Sequence, residues 1–210
     1  MKKLLGKYRL KKGEISSRME DFARVGQLGE NALLGEAAFC ISAANSSAKA
    51  AFRAQEELAR SGLIYSNEPE HVAQVLLKAG VRFHNHKAEY IVEARKHLFE
   101  GKNLERYLEE HKNEFELRNC LAKEVKGFGM KEASHFLRNT GLGSEIAILD
   151  RHILKNLQKY GAIEELPKSM SAKKYLEIEQ KMLEFSKGIK IPMPHLDLLF
   201  WSEQTGEIFK

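Results

Sequence analysis

The chain has 210 residues, of which 43% are hydrophobic and 30% charged, and its 34 basic and 29 acidic residues give a formal net charge of +5. These values are typical of one folded domain or two small ones and exclude a mostly disordered chain. No apolar run approaches the roughly 20 residues of a membrane helix, and the basic first residues precede no apolar stretch long enough for a signal peptide. We therefore expect a cytoplasmic protein that does not contact a membrane.

The helices are predicted by apolar residues at helical spacing, with few prolines and with glycines between the segments. Ile15, Met19 and Phe22 indicate a first helix, and an apolar segment from Asn31 to Gly62 is interrupted by the polar residues 45–47. Asn67 is predicted to cap the next helix and Asn113 a later one, each with a glutamate three residues on. Further helices are predicted near 88–98, 104–108, 117–125, 130–140, 150–160, 171–187 and 194–204. The chain is therefore predicted to be all-α.

The segment from Leu117 to Leu154 is the most informative part of the sequence. Residues 126–129, Lys-Gly-Phe-Gly, interrupt the helical pattern, so that a helix-hairpin-helix is predicted at about 117–140. Its glycines allow positive φ and close approach of a partner. The free N–H groups at the start of the second helix could hold a DNA phosphate. An ordinary turn between two helices fits the same letters.

Lys131 and Asp150 distinguish these two interpretations. Lys131 falls in the first turn of the second helix, where the helix dipole disfavours its positive charge. That position is costly for a structural lysine but suits a nucleophilic amine. Asp150 follows nineteen residues later at the predicted start of another helix, where a simple N-cap is the alternative interpretation.

These features together resemble the helix-hairpin-helix DNA glycosylases that also cleave abasic sites. Further segments, 41–49, 80–83, 87–91 and 196–201 together with Thr205, Gly206 and Lys210, resemble the type 2 8-oxoguanine DNA glycosylase/AP lyases. The resemblance covers most of the chain after residue 30. It implies a single glycosylase unit over residues 1–210, made of two small helical subdomains with the active site between them.

The resemblance also implies a mechanism and its residues. Lys131 would attack the damaged nucleoside, release the base and form a Schiff base that leads to β-elimination, while Asp150 would stabilise the cationic sugar. The substrate would be double-stranded DNA containing 8-oxoguanine, with the damaged nucleotide flipped out of the stack. The enzyme would act as a monomer without a cofactor. Cys40 and Cys120, the two cysteines of the chain, are too few for an iron–sulfur cluster.

Other residues are assigned by the same resemblance. Trp201 and the terminal carboxylate of Lys210, in a segment 194–210 that lines the base pocket, would recognise 8-oxoguanine through stacking and through its N7–H. A core aromatic and a frayed terminus are the alternatives for these two residues. DNA contacts are assigned to Asn45, Gly127, Phe128 and Gly129. No metal ligand is predicted beyond a monovalent cation at the carbonyls of Lys123, Val125 and Phe128.

Two other functions remain open at this point. A helix-hairpin-helix glycosylase for another base lesion would use the same lysine chemistry. A non-enzymatic DNA-binding module would need the hairpin alone. Because such a module requires neither Lys131 nor Asp150, their joint presence favours an enzyme.

Overall fold

A computed structural model describes residues 1–209, and within these residues the chain forms eleven α-helices and no β-strand. The prediction of an all-α protein is confirmed. Within residues 1–209, every helix is too short or too polar to span a lipid bilayer. In chain order the helices are α1 Lys2–Val25, α2 Glu30–Ala43, α3 Ala48–Ser61, α4 Pro69–Lys78, α5 His84–Arg95, α6 Asn103–Glu110, α7 Glu114–Glu124, α8 Met130–Asn139, α9 Arg151–Lys159, α10 Ala172–Ile189 and α11 Met193–Thr205.

Side-chain caps fix several of the helix starts. Ser47 caps α3 by accepting a hydrogen bond from the N–H of Ala50, so the polar residues 45–47 do separate two helices as predicted. Asn113 caps α7 by accepting from the N–H of Glu116, which confirms the second predicted cap. Both caps satisfy an N–H group that the first helical turn leaves without a partner.

The predicted cap at Asn67 is wrong. Pro69 occupies the first position of α4, so the N-cap is Glu68, whose side chain makes no capping bond. The Asn67 amide oxygen instead accepts a hydrogen bond of 2.7 Å from the buried Arg95. The side chain therefore satisfies a buried cation instead of the helix terminus.

Two hydrophobic cores divide the described chain. The first is built from α2 to α8, and the second from α9, α10, α11 and the N-terminal helix α1. Ile146 packs into the first core and Ala147, the next residue, into the second. The segment Ile146–Leu149, which we call the crossing segment, therefore carries the chain from one core to the other, and Asp150 follows it directly.

Two side chains of α10 hold the crossing segment in place. The Tyr175 hydroxyl donates to the carbonyl of Ala147 at 2.6 Å and accepts from the N–H of Leu149 at 3.2 Å. Glu179 accepts from the N–H of Ala147 at 2.8 Å and from the guanidinium of Arg118 at 2.5 Å. Since extended backbone has no helical partners of its own, these bonds satisfy groups that burial would otherwise leave unpaired.

The pair Arg118–Glu179 joins α7 of the first core to α10 of the second, and both side chains are almost completely buried. We expect Arg118→Met to lower the free energy of unfolding by about 3–5 kcal/mol, because it leaves a buried carboxylate without its cation. Equilibrium urea unfolding measures this loss. Arg60→Met breaks an exposed pair with Glu57 and serves as the control, with an expected loss below about 1 kcal/mol. Equal losses in the two variants would contradict the importance of the buried pair.

Candidate active site

The predicted hairpin is present between α7 and α8. Gly127 has a φ of +89°, and a Cβ atom there would lie 2.8 Å from the Cβ of Tyr90. Position 127 therefore requires glycine, both because of its backbone conformation and because Tyr90 leaves no space for a side chain. Gly129 has a φ of −105°, which any residue adopts, so the expected need for positive φ holds only for the first glycine. The Phe128 side chain is buried against Phe136, which leaves only the backbone of Phe128 for a DNA contact.

Lys131 lies in the first turn of α8, as predicted, with a quarter of its side chain exposed. Its Nζ is 3.0 Å from a carboxylate oxygen of Glu132. The other oxygen of Glu132 accepts a hydrogen bond from the N–H of Gly129 at 3.2 Å. Glu132 thus caps the helix and holds the lysine amine at the same time, a role that the sequence analysis missed.

Asp150 is the N-cap of α9, as its sequence position predicts. One carboxylate oxygen, Oδ1, accepts from the N–H of His152 at 2.7 Å and from that of Ile153 at 2.8 Å. The dipole of α9 and these two bonds favour a negative charge at this position.

A cavity of about 480 Å³ connects the two helix starts. Its lining includes Lys131 and Glu132 from α8, and Leu149 and Arg151, the two neighbours of Asp150. The remaining lining residues are Gly129, Met130, Leu154, Leu166, Pro167, Met170 and Tyr175. The cavity thus brings together Lys131 and the immediate surroundings of Asp150 at the boundary between the two cores.

Asn45 is exposed in the turn between α2 and α3, with a left-handed φ of +54°. The prediction that polar residues interrupt the helical segment here is therefore confirmed. The Lys87 side chain, on α5, supports this turn. Its Nζ donates to the carbonyls of Ser42 and Ala44 and to the hydroxyl of Ser46.

Lys87 is a buried cation near the predicted nucleophile, and the sequence analysis missed its role. Burial, followed by the positive charges of Lys131 and Arg82, lowers the pKa of Lys87 to about 8. The Ser46 hydroxyl that it contacts also accepts a hydrogen bond of 2.9 Å from the N–H of Arg82. Lys87 therefore links the Asn45 turn to the turn that precedes α5. No pattern in the sequence marks Lys87, because its neighbours His86 and Glu89 are themselves polar.

Trp201 lies on α11 and is half-buried. Its ring stacks on that of Phe209, with centroids 6.0 Å apart and an interplanar angle of 26°. Trp201 is not among the residues that line the cavity at Lys131. Lys210, the other residue predicted to read the base, lies outside the described residues.

The three carbonyls predicted to bind a monovalent cation belong to Lys123, Val125 and Phe128. The Val125 carbonyl accepts a hydrogen bond of 3.0 Å from the N–H of Phe128 within the hairpin. In residues 1–209, no group of three or more His, Cys, Asp or Glu side chains is arranged to hold a metal ion. The cation stays a prediction.

Comparison with known proteins identifies the family. The family model described as 8-oxoguanine DNA glycosylase matches residues 15–191. The chain belongs to this family. An 8-oxoguanine DNA glycosylase/AP lyase of Fusobacterium nucleatum is 39% identical over 206 residues, which cover 97% of this chain and 94% of the relative. The corresponding protein of Methanocaldococcus jannaschii is 37% identical over 196 residues, covering 93% and 91%.

Two solved structures of family members share the fold. The crystal structure of the 8-oxoguanine DNA glycosylase of Thermotoga maritima has a TM-score of 0.87 at 35% identity, covering 100% of this chain and 97% of that one. The glycosylase/lyase of Methanocaldococcus jannaschii, crystallised with a 15mer DNA containing 8-oxoguanine, has a TM-score of 0.88 at 34% identity and full coverage of both chains. These structures confirm the helix-hairpin-helix fold.

Asp197, on α11 in the second core, contacts α8, the helix that carries Lys131. Its carboxylate accepts a hydrogen bond of 3.2 Å from the guanidinium of Arg138 on α8, and both side chains are buried. Burial raises the pKa of Asp197 to about 7; the Arg138 charge opposes this shift and the Asp150 charge adds to it. Between about pH 4 and pH 7, the Asp197 carboxyl is therefore protonated in the native protein and ionised in the unfolded chain.

We expect Asp197→Asn to change how stability depends on pH. Protonation of Asp197 stabilises the native state at low pH, and this contribution is lost as pH rises from about 4 to about 7. The unfolding free energy of the natural protein minus that of the variant should fall across this window by up to about 1.4 kcal/mol per pH unit. Above it the difference should be constant. Urea unfolding at several pH values provides the measurement, and parallel curves from pH 4 to 7 would refute the assignment.

Proposed function

We propose that the chain excises 8-oxoguanine from double-stranded DNA and then cleaves the abasic site, with Lys131 as the nucleophile of both reactions. The observation that carries this proposal is the cavity at the boundary of the two cores. Lys131 and the neighbours of Asp150 line it, and the N-termini of α8 and α9 open onto it. The substrate is inferred from membership of the 8-oxoguanine DNA glycosylase family.

The reaction begins with the neutral amine of Lys131. Its nitrogen attacks C1′ of the damaged nucleotide, the glycosidic bond breaks, and its electron pair leaves with the base, which takes up a proton. The sugar ring then opens to a protonated Schiff base. Loss of a C2′ proton allows the C3′–O bond to break, and water later hydrolyses the Schiff base and restores the lysine. Before the attack, the Lys131 ammonium must release a proton and leave its contact with Glu132.

Asp150 stabilises the positive charge that develops on the sugar. Both capping bonds go to Oδ1, so among the described residues Oδ2 makes no hydrogen bond and is available to the substrate. The cap also holds the carboxylate in one orientation. Electrostatic stabilisation of this kind is most effective when the charged group needs no reorganisation during the reaction.

Base recognition is assigned to Trp201 and to the terminal carboxylate of Lys210. An indole face stacks on a flipped purine, and the carboxylate accepts a hydrogen bond from N7–H, which 8-oxoguanine has and guanine lacks. The half-buried position of Trp201, next to the last described residue, Phe209, supports this assignment.

DNA is held by the hairpin and by the Asn45 turn. The backbone of residues 127–129 and the N-terminus of α8 bind a phosphate, because free N–H groups and the helix dipole both favour an anion. Asn45, exposed in a turn with left-handed backbone, contacts the space that the flipped base leaves. Because all of these residues come from one chain, the proposed site needs no second copy, and we propose that the enzyme acts on DNA as a monomer.

Lys131→Gln tests the nucleophile. An amide cannot form a Schiff base, so we expect this variant to lose both 8-oxoguanine release and covalent trapping by borohydride. Binding to the same duplex should survive within a few-fold. Duplexes with other base lesions, tested with the natural protein, distinguish the two enzyme functions considered above. Normal trapping by Lys131→Gln would overturn the assignment.

Asp150→Asn tests the role of charge separately from the role of the cap. Asparagine caps helices about as well as aspartate, so the fold and α9 should be retained. We expect single-turnover base release to fall at least about tenfold, because the remaining amide has no net charge to stabilise the sugar cation. Circular dichroism and thermal unfolding serve as the controls. Release at the natural rate would refute the electrostatic role.

A further inference from the structure

Helix α1 lies against the last described residues, although nearly 200 residues separate the two segments in sequence. Three side chains of α1 contact the end of α11 and the segment that follows it, residues 206–209, which we call the tail. Lys7 forms an ion pair of 2.9 Å with Glu203, Lys11 donates to the carbonyl of Gly206 at 3.3 Å, and Arg18 donates to the carbonyl of Phe209 at 3.4 Å. The N-terminal helix is thus in contact with the last described residue.

The geometry of these contacts is regular. Residues 7, 11 and 18 lie within about 40° of one another around a helix, so they form one stripe along α1. From Lys7 to Arg18 the helix rises about 16 Å. The path from Glu203 to Phe209 consists of one helical turn and three extended residues. Its length is about the same as this rise along α1. The tail therefore runs parallel to α1, with Lys11 at its first residue, Gly206, and Arg18 at its last residue, Phe209.

Arg18, and the carboxylate that Lys7 contacts, are themselves held in place. Arg18 pairs with Asp21 at 3.4 Å and lies 5.0 Å from the centre of the Phe22 ring. Glu203, the partner of Lys7, is buried and also accepts from Lys159 and Tyr160. A side chain that is already ordered loses little entropy when it holds another group.

The opposite side of the tail is held by the first core. Glu207 pairs with Lys49 on α3 at 2.9 Å, and the Phe209 ring makes an edge-to-face contact with Phe52 on α3 at 5.4 Å. The same ring stacks on Trp201. The last few residues of a domain are usually poorly ordered unless they are tied down, and residues 206–209 are held by contacts with α1, α3 and α11.

We propose that α1 is a positioning element for base recognition, in which Lys11 and Arg18 hold the backbone of Gly206 and Phe209 and thereby fix where the terminal residue is presented. This inference rests on the proposed role of the Lys210 carboxylate. Arg18 acts on the residue directly before Lys210, and a hydrogen bond to the base tolerates only a few tenths of an ångström. The match to the family model ends at residue 191, so the tail lies beyond it.

Arg18→Ala should lower single-turnover excision of 8-oxoguanine roughly tenfold, the effect of one lost hydrogen bond to a charged donor. Strand cleavage at a preformed abasic site should stay within about twofold, because it needs Lys131 and no base contact. Arg18→Lys, which keeps a donor, should restore part of the excision rate. The control is Arg9→Ala: Arg9 is exposed about 180° around α1 from Arg18, and it should leave both rates unchanged.

Deletion of Lys210, alone and combined with Arg18→Ala, separates the two proposals. If Arg18 acts through the terminal residue, the double variant should excise no more slowly than the deletion alone. If the deletion slows excision and Arg18→Ala does not, positioning by α1 is refuted while terminal recognition stands. If the deletion has no effect, terminal recognition and its positioning both fail. An equal loss of excision and abasic-site cleavage in Arg18→Ala would show that α1 has only a structural role.

Discussion

The crossing segment between the two cores is the constraint on which the rest of the site depends. It places Asp150 at the start of α9, and its backbone is fixed by buried partners on α10, Tyr175 and Glu179. Because Glu179 also binds Arg118, the same carboxylate joins the two cores. The distance between the two catalytic candidates thus depends on a few buried polar bonds and not on the hairpin alone.

Electrostatics of the site come from two helix N-termini that open onto one cavity. Their dipoles favour an anion, which suits both the Asp150 carboxylate and a DNA phosphate. Lys131 is a cation in the same field, with Lys87 close enough to feel its charge and Glu132 in direct contact. The proposed nucleophile therefore has both a second cation and a carboxylate as neighbours.

The second core has a different relation to function. It joins the first and last helices of the chain, so residues that are far apart in sequence become neighbours of the tail. Arg138 and Asp197 then link this core to α8, the helix that carries Lys131. The helix of the proposed nucleophile and the segment proposed to recognise the base are therefore connected through packing.

Sequence patterns alone predict the helical class, most helix positions, the hairpin, the N-cap at Asp150 and the place of Lys131 in a first helical turn. These features depend on periodicity, caps and glycines, which act over a few residues. The folded chain was needed to find the partners of Glu132 and Lys87, the hydrogen bond of Asn67 to Arg95 in place of a helix cap, and the contact of α1 with the tail. Each of these features depends on burial, or on a charged side chain that the fold brings close. Local sequence patterns do not predict which side chains the fold will bring together.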